Sequence, residues 1–139
     1  MGMRHLLDSN IWIHYFKQPT SALAVTMAKY PRRDRYSCSV VLAELLHGAQ
    51  KYGRSGHRSE LIRSTLGQYE SLSFDDLAAV HFARVKHELE LTGFCIGPHD
   101  LQIAAICLAH DLTLITGNVR EFSRVPGLRI EDWSESKTS

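Results

Sequence analysis

Short apolar runs alternate with longer helix-like stretches along almost the whole chain, and no other feature constrains its fold as strongly. His5-Leu6-Leu7-Asp8 reads as a buried strand. Residues 10–16 suit a helix capped by Ser9 or Asn10, and a second helix fits 22–29 after Pro19. Pro31-Arg32-Arg33-Asp34 reads as a turn before a strand at 36–39. The stretch 40–52 reads as a helix with Leu42, Leu45, Leu46 and Ala49 on one stripe. Gly53-Arg54-Ser55-Gly56 breaks it, and 58–69 is helical again. A third strand is expected at 72–74. Asp75 or Asp76 then caps a helix running to Leu91, with Ala78, Phe82, Val85 and Leu89 facing inward and Thr92-Gly93 ending it. Gly97-Pro98 opens a helix over 99–110 that is apolar almost all round, hence buried. A strand at 112–116, a Gly117-Asn118 turn, a helical turn near Glu121-Phe122 and a strand at 128–130 complete the order. Strands that alternate with helices predict an α/β domain on a mainly parallel sheet.

Size and composition agree. The chain has 139 residues, 44% hydrophobic and 22% charged, enough for one domain with a core and unlike a disordered chain. A single domain is expected over 1–133, with 134–139 as a flexible tail. No apolar run approaches the roughly 20 residues that span a bilayer, and 1–7 holds no signal-peptide core, so a cytoplasmic protein is expected. Cys38, Cys95 and Cys107 are widely spaced with no CxxC, which predicts buried reduced thiols rather than a zinc or redox site.

A net charge of +1 conceals a division. Residues 17–63 hold nine Lys/Arg against three Asp/Glu, and the rest holds seven against twelve. Lys29, Arg32, Arg33 and Arg35 form one basic cluster, and Lys51, Arg54 and Arg58 another. Arg32, Arg33, Lys51 and Arg54 are the candidates for contacts to the phosphates of a nucleic acid, which would make binding salt-dependent.

Ligand sites of parallel α/β folds form outside the carboxyl ends of the strands. Asp8 ends the first strand, and Asn118 follows the 112–116 strand by two residues. Asp8 equally suits an N-cap for the helix after it. Asp100 has Ile103, Ala104 and Cys107 as helical neighbours, a costly setting for a carboxylate unless it is paired or metal-bound. Glu44 lies about 150° around its helix from the apolar stripe, which suits a cleft and open solvent alike. Glu121 reads as a surface residue by default. If these carboxylates converge, an all-oxygen set favours Mg²⁺ or Mn²⁺ over zinc, in a site for in-line displacement at a phosphate.

The same residues carry a family resemblance. Leu6-Leu7-Asp8-Ser9-Asn10-Ile11 resembles the opening motif of PIN-domain nucleases. Residues 39–49, with Glu44-Leu45, resemble their second acidic motif, and Gly97-Pro98-His99-Asp100 with 101–105 resembles the third. Residues 114–122, with Val125-Pro126-Gly127-Leu128 and Glu131-Asp132-Trp133, are similar to the C-terminal signature of VapC toxins, the ribonuclease halves of bacterial type II toxin–antitoxin pairs. All four motifs occur in order, from about Leu6 to Trp133.

The resemblance implies a three-layer α/β/α fold with a twisted, mainly parallel central sheet. It implies an endoribonuclease that uses Mg²⁺, with Mn²⁺ as a substitute, and leaves 5′-phosphate and 3′-hydroxyl ends. Asp8, Glu44 and Asp100 match the acidic triad, and the metal ligands implied are Asp8, Glu44, Asp100 and Glu121. Ser9, Asn10, Thr116 and Asn118 match supporting positions. Asn118 stands where many PIN domains carry an acid, which makes Glu121, one helical turn later, the candidate for the missing charge. The resemblance further implies a homodimer silenced by a VapB-like antitoxin whose tail lies in the groove, and initiator tRNA, cut in its anticodon loop, as the RNA. Two alternatives stand beside it: a housekeeping PIN nuclease of RNA maturation, and a catalytically inactive PIN fold that binds RNA or protein. An aspartyl phosphatase fits poorly, because it needs an acid where Asn10 stands.

Overall fold

The computed structural model describes residues 4–134. The expected tail therefore lies outside the described residues, apart from Ser134. In chain order the elements are β1 (His5–Leu7), α1 (Ser9–Lys17), α2 (Ala22–Ala28), a 3₁₀ turn (Arg32–Asp34), β2 (Arg35–Cys38), α3 (Ser39–Gln50), α4 (Ser55–Leu66), β3 (Glu70–Leu72), α5 (Asp76–Thr92), α6 (Pro98–His110), β4 (Thr113–Ile115), α7 (Val119–Phe122) and β5 (Ile130–Glu131).

The strands form one sheet in the order β3-β2-β1-β4-β5, and every pair is parallel. Helices flank this sheet, as the alternation predicts. The chain builds outward from β1 through β2 to β3, then returns to lay β4 and β5 on the other side. The order thus reverses between β1 and β4, and a crevice opens at their carboxyl ends. Leu6 is level with Leu114 and Leu7 with Ile115. That register sets Asp8 beside Thr116.

The core is centred on the two middle strands, β1 and β4. Leu6, Leu7, Leu114 and Ile115 are wholly buried, with helices covering the sheet. Each such side chain contributes about 1.5–3 kcal/mol by leaving water. In α6 the residues Leu101, Ile103, Ala104, Ala105, Ile106 and Cys107 are all buried, which holds the first turn of that helix firmly in place.

Several boundaries differ from the sequence reading. Helix α1 starts at Ser9, and its N-cap is Asp8, whose side chain accepts from the Ser9 amide. The inward stripe of α3 is Val41, Leu45 and Ala49, with Leu42 and Leu46 only partly buried at its margins. Helix α4 starts three residues early, at Ser55, because Arg54 takes a left-handed conformation (φ 63°) and makes the turn that the glycines were expected to make. Strand β3 lies two residues earlier than expected, since Asp75 is committed to capping α5 through the Ala78 amide. Strand β5 begins at Ile130, after a turn in which Gly127 has φ 82°. All three cysteines are free, but Cys95 is exposed, in the loop between α5 and α6.

Candidate active site

Asp8 occupies the carboxyl end of the central strand and is 2% exposed. Three donors hold its carboxylate, and a hydroxyl lies close by. The Ser9 amide reaches Oδ1 at 2.8 Å, and the Ser9 hydroxyl lies 3.5 Å from the same oxygen. Thr116 Oγ1 donates to Oδ2 at 2.8 Å, and Asn10 Nδ2 at 3.2 Å. Burial pushes the Asp8 carboxyl above the ordinary carboxylate range, while the bonds from Thr116 and Ser9 pull it back.

Parallel-sheet geometry supplies the frame for this cluster. Thr116 follows β4 as Asp8 follows β1, and its hydroxyl oxygen also accepts from the Asn118 amide at 3.0 Å. Asn10, in the first turn of α1, bridges the two strand ends: its Oδ1 accepts from the Gly117 amide at 3.2 Å. The Ser9 hydroxyl donates to Glu44 Oε1 at 3.2 Å, linking the β1 end to the middle of α3.

Glu44 is not a freely solvated residue. Its side chain is 27% exposed and lines a cleft of about 660 Å³ with Ser9, His47, Lys51, His99 and Gln102. His99 Nδ1 lies 3.8 Å from Glu44 Oε2. Sequence reasoning passed over His99; its place directly before Asp100 in the first turn of α6 was the available signal.

Asp100 is half-buried, and its carboxyl is pushed up to about 6. Burial is the largest cause, followed by the charges of Asp8, Glu121 and Glu44, while His99 acts in the opposite sense. Glu121 belongs to the same neighbourhood. It accepts from the Gly97 amide at 3.1 Å and from Asn118 Nδ2 at 3.0 Å, and these bonds hold its carboxyl below the usual range. Asn118 thus steadies an acid.

Carboxylates brought together in this way repel one another, and that is the setting in which a divalent cation is favoured. The four acids offer oxygens only, a set that suits a hard divalent cation. Among the described residues, no three His, Cys, Asp or Glu side chains are drawn close enough to grip an ion as they stand. Bridging waters suit such spacing, because Mg²⁺ keeps several of its own.

The basic candidates separate. Lys51 lines the cleft beside Glu44. Arg54 lies in the α3–α4 turn. Arg32 and Arg33 sit just before β2, at the amino ends of the strands and across the sheet from Asp8. The structure does not bring these two to the carboxylates.

A PIN domain matches residues 5–128. The chain is also 32% identical over 131 residues to the tRNA(fMet)-specific endonuclease VapC of Salmonella typhimurium, covering 94% of this chain and 98% of that one. The chain belongs to the VapC ribonucleases of the PIN-domain family. Ribonuclease VapC2 of Rickettsia felis is 28% identical over 134 residues, covering 96% of this chain and the whole of that protein. Among solved structures, the DNA-bound VapBC of Salmonella typhimurium superposes with a TM-score of 0.88 at 31% identity, covering 95% and 99% of the two chains. The five-stranded parallel sheet is thus the PIN fold, and its crevice at the β1–β4 reversal is where this VapC chain gathers its acids. Among the described residues, no helix is long and apolar enough to cross a membrane.

Proposed function

We propose that the chain is the toxin of a type II toxin–antitoxin pair, a cytoplasmic, Mg²⁺-dependent endoribonuclease that cuts initiator tRNA in its anticodon loop. One observation carries the catalytic reading: a buried Asp8, fixed by Thr116, Asn10 and Ser9, with Glu44 tied to it through the Ser9 hydroxyl. A carboxylate held so rigidly at the end of a central strand is costly to bury and suits a site better than a core. The RNA rests on the Salmonella relative, which is tRNA(fMet)-specific by name. The VapB-like antitoxin rests on the VapBC complexes among the structural relatives. The homodimer rests on the family resemblance alone.

The residues divide the work. Asp8, Asp100 and Glu121, with Glu44, would hold Mg²⁺ directly or through waters. When bound, Mg²⁺ lowers the pKa of water and neutralises charge on the phosphate. Glu44 faces the open cleft and orients the attacking water or takes its proton. Asn10 and Thr116 keep Asp8 aimed at the crevice, and Asn118 keeps Glu121 aimed toward Gly97. Lys51 steadies a phosphate of the incoming strand. The test is induced expression followed by mapping of new RNA 5′ ends, wild type against Asp8→Asn. New ends in the initiator tRNA anticodon loop, absent in the variant, are the expected result.

A further inference from the structure

A second opening continues along α3 from the carboxylates. It is a cleft of about 390 Å³ between α1, α3 and α4. Ile13, Glu44, Gly48 and Lys51 line both this cleft and the one that holds His99, so the two are continuous. Tyr52, two residues past the end of α3, also lines it.

Around Tyr52 the cleft is built from an aromatic ring and a cationic plane. Tyr52 is 62% exposed. The Arg58 guanidinium carbon sits 5.3 Å from the Tyr52 ring centroid, and Arg58 Nε donates to the Gly53 carbonyl at 3.3 Å. Arg58 is therefore held over the ring by the first turn of α4, with its other N–H groups free for a ligand. The left-handed Arg54 turns the chain so that the two meet. Lys17, Lys51 and Arg58 line this cleft, and Glu44 is the one acid among its described lining residues.

We infer that Tyr52 and Arg58 form a base-stacking subsite for a single-stranded nucleotide of the substrate, set along α3 from the carboxylates. The inference rests on the ribonuclease reading above and deepens it. Three cations beside an exposed aromatic ring complement phosphates and a base together, the combination that single-stranded nucleic acid requires. Ile13, Phe16, Leu45, Leu61 and Ile62 make the rest of the cleft apolar, so the part that fits a nucleotide is the end where Tyr52 and Arg58 meet.

The probe is a fluorescent hairpin carrying the initiator tRNA anticodon loop, 2′-O-methylated to prevent cutting, with loop positions made abasic one at a time. Binding to the full chain is followed by anisotropy. Tyr52→Ala weakens binding about 5- to 100-fold, and Tyr52→Phe changes it less than twofold. Removing the ring and one particular base together costs no more than removing either, the coupling that a merely structural Tyr52 does not produce. Arg58→Ala weakens binding and lowers the salt slope by about one. The subsite is overturned if Tyr52→Ala binds like wild type, or if its loss is the same at every abasic position. Wild-type cleavage alongside either result leaves the ribonuclease reading intact, whereas a wild type that neither binds nor cuts RNA overturns both. A loss confined to binding of a co-expressed protein partner, with hairpin affinity unchanged, assigns the face to protein and also overturns the subsite.

Discussion

The Thr116 hydroxyl donates a 2.8 Å hydrogen bond to Asp8 Oδ2, joining the ends of two neighbouring parallel strands that lie 108 residues apart in the chain. Thr116 is wholly buried. Thr116→Val keeps the shape and removes the donor. We expect a stability loss of about 1–3 kcal/mol and a fall in single-turnover cleavage, because Asp8 loses one of the bonds that favour its charged form. Thr116→Ser, which restores the hydroxyl, recovers most of both. Denaturant midpoints and cleavage rates check this together.

Asp100 opposes folding where it is needed most. Its carboxyl stands at about 6 in the fold against an ordinary 3.8. A raised carboxyl binds its proton more readily in the fold than in the unfolded chain, so the fold gains as pH falls. That gain is complete below 3.8 and is lost as pH rises through about 6. In metal-free protein at neutral pH, Asp100→Asn should therefore stabilise the fold by roughly 1–3 kcal/mol while abolishing cleavage. Urea unfolding in the presence of a chelator measures the first effect.

His5 responds with the opposite sign. It is buried at the other end of β1, against Tyr30 at 4.7 Å and Trp133 at 4.9 Å, with Glu131 3.9 Å from its Nε2. Burial lowers its pKa below 6.5, outweighing the pull of Glu131 and Asp34. The unfolded chain then binds the proton first, so this part of the stability is present above 6.5 and is lost as pH falls through the lower folded value. His5→Phe keeps a ring in the cluster and should flatten the acid limb of the stability curve. An unchanged limb would place the acid sensitivity elsewhere.

Asn118 should matter through Glu121. Its amide is the largest cause of the lowered Glu121 carboxyl. Asn118→Ala is expected to return that carboxyl toward 4.5, read by NMR titration of Glu121, and to loosen the contact with the Gly97 amide at the start of α6.

Much of this was legible in the residues. The alternation of strands and helices gave the parallel sheet, because each short apolar run had nowhere to go but its centre. Asp8 was legible as both an N-cap and a candidate site acid, and the fold realises the cap while placing the same carboxylate in the crevice. Glu44 was not decidable, since periodicity fixes an angle on a helix and says nothing about what faces it. Only the packing of α3 against α1 and α6 turns that angle into a cleft. The Leu42 and Leu46 stripe misled for a related reason: three leucines and an alanine offer two overlapping faces, and Val41 joins Leu45 and Ala49 on the one that is buried. His99 and the Tyr52–Arg58 pair depend on contacts between elements, which spacing alone does not carry.

Everything proposed for this site turns on the Asp8 carboxylate driving phosphodiester cleavage. The direct measurement is cleavage of initiator tRNA by purified wild type and Asp8→Asn, each stripped with chelator and refilled with Mg²⁺, with circular dichroism to confirm that both are folded. Cutting is expected from the refilled wild type, none from the stripped wild type, and none from the folded variant. Full activity in Asp8→Asn would contradict that role.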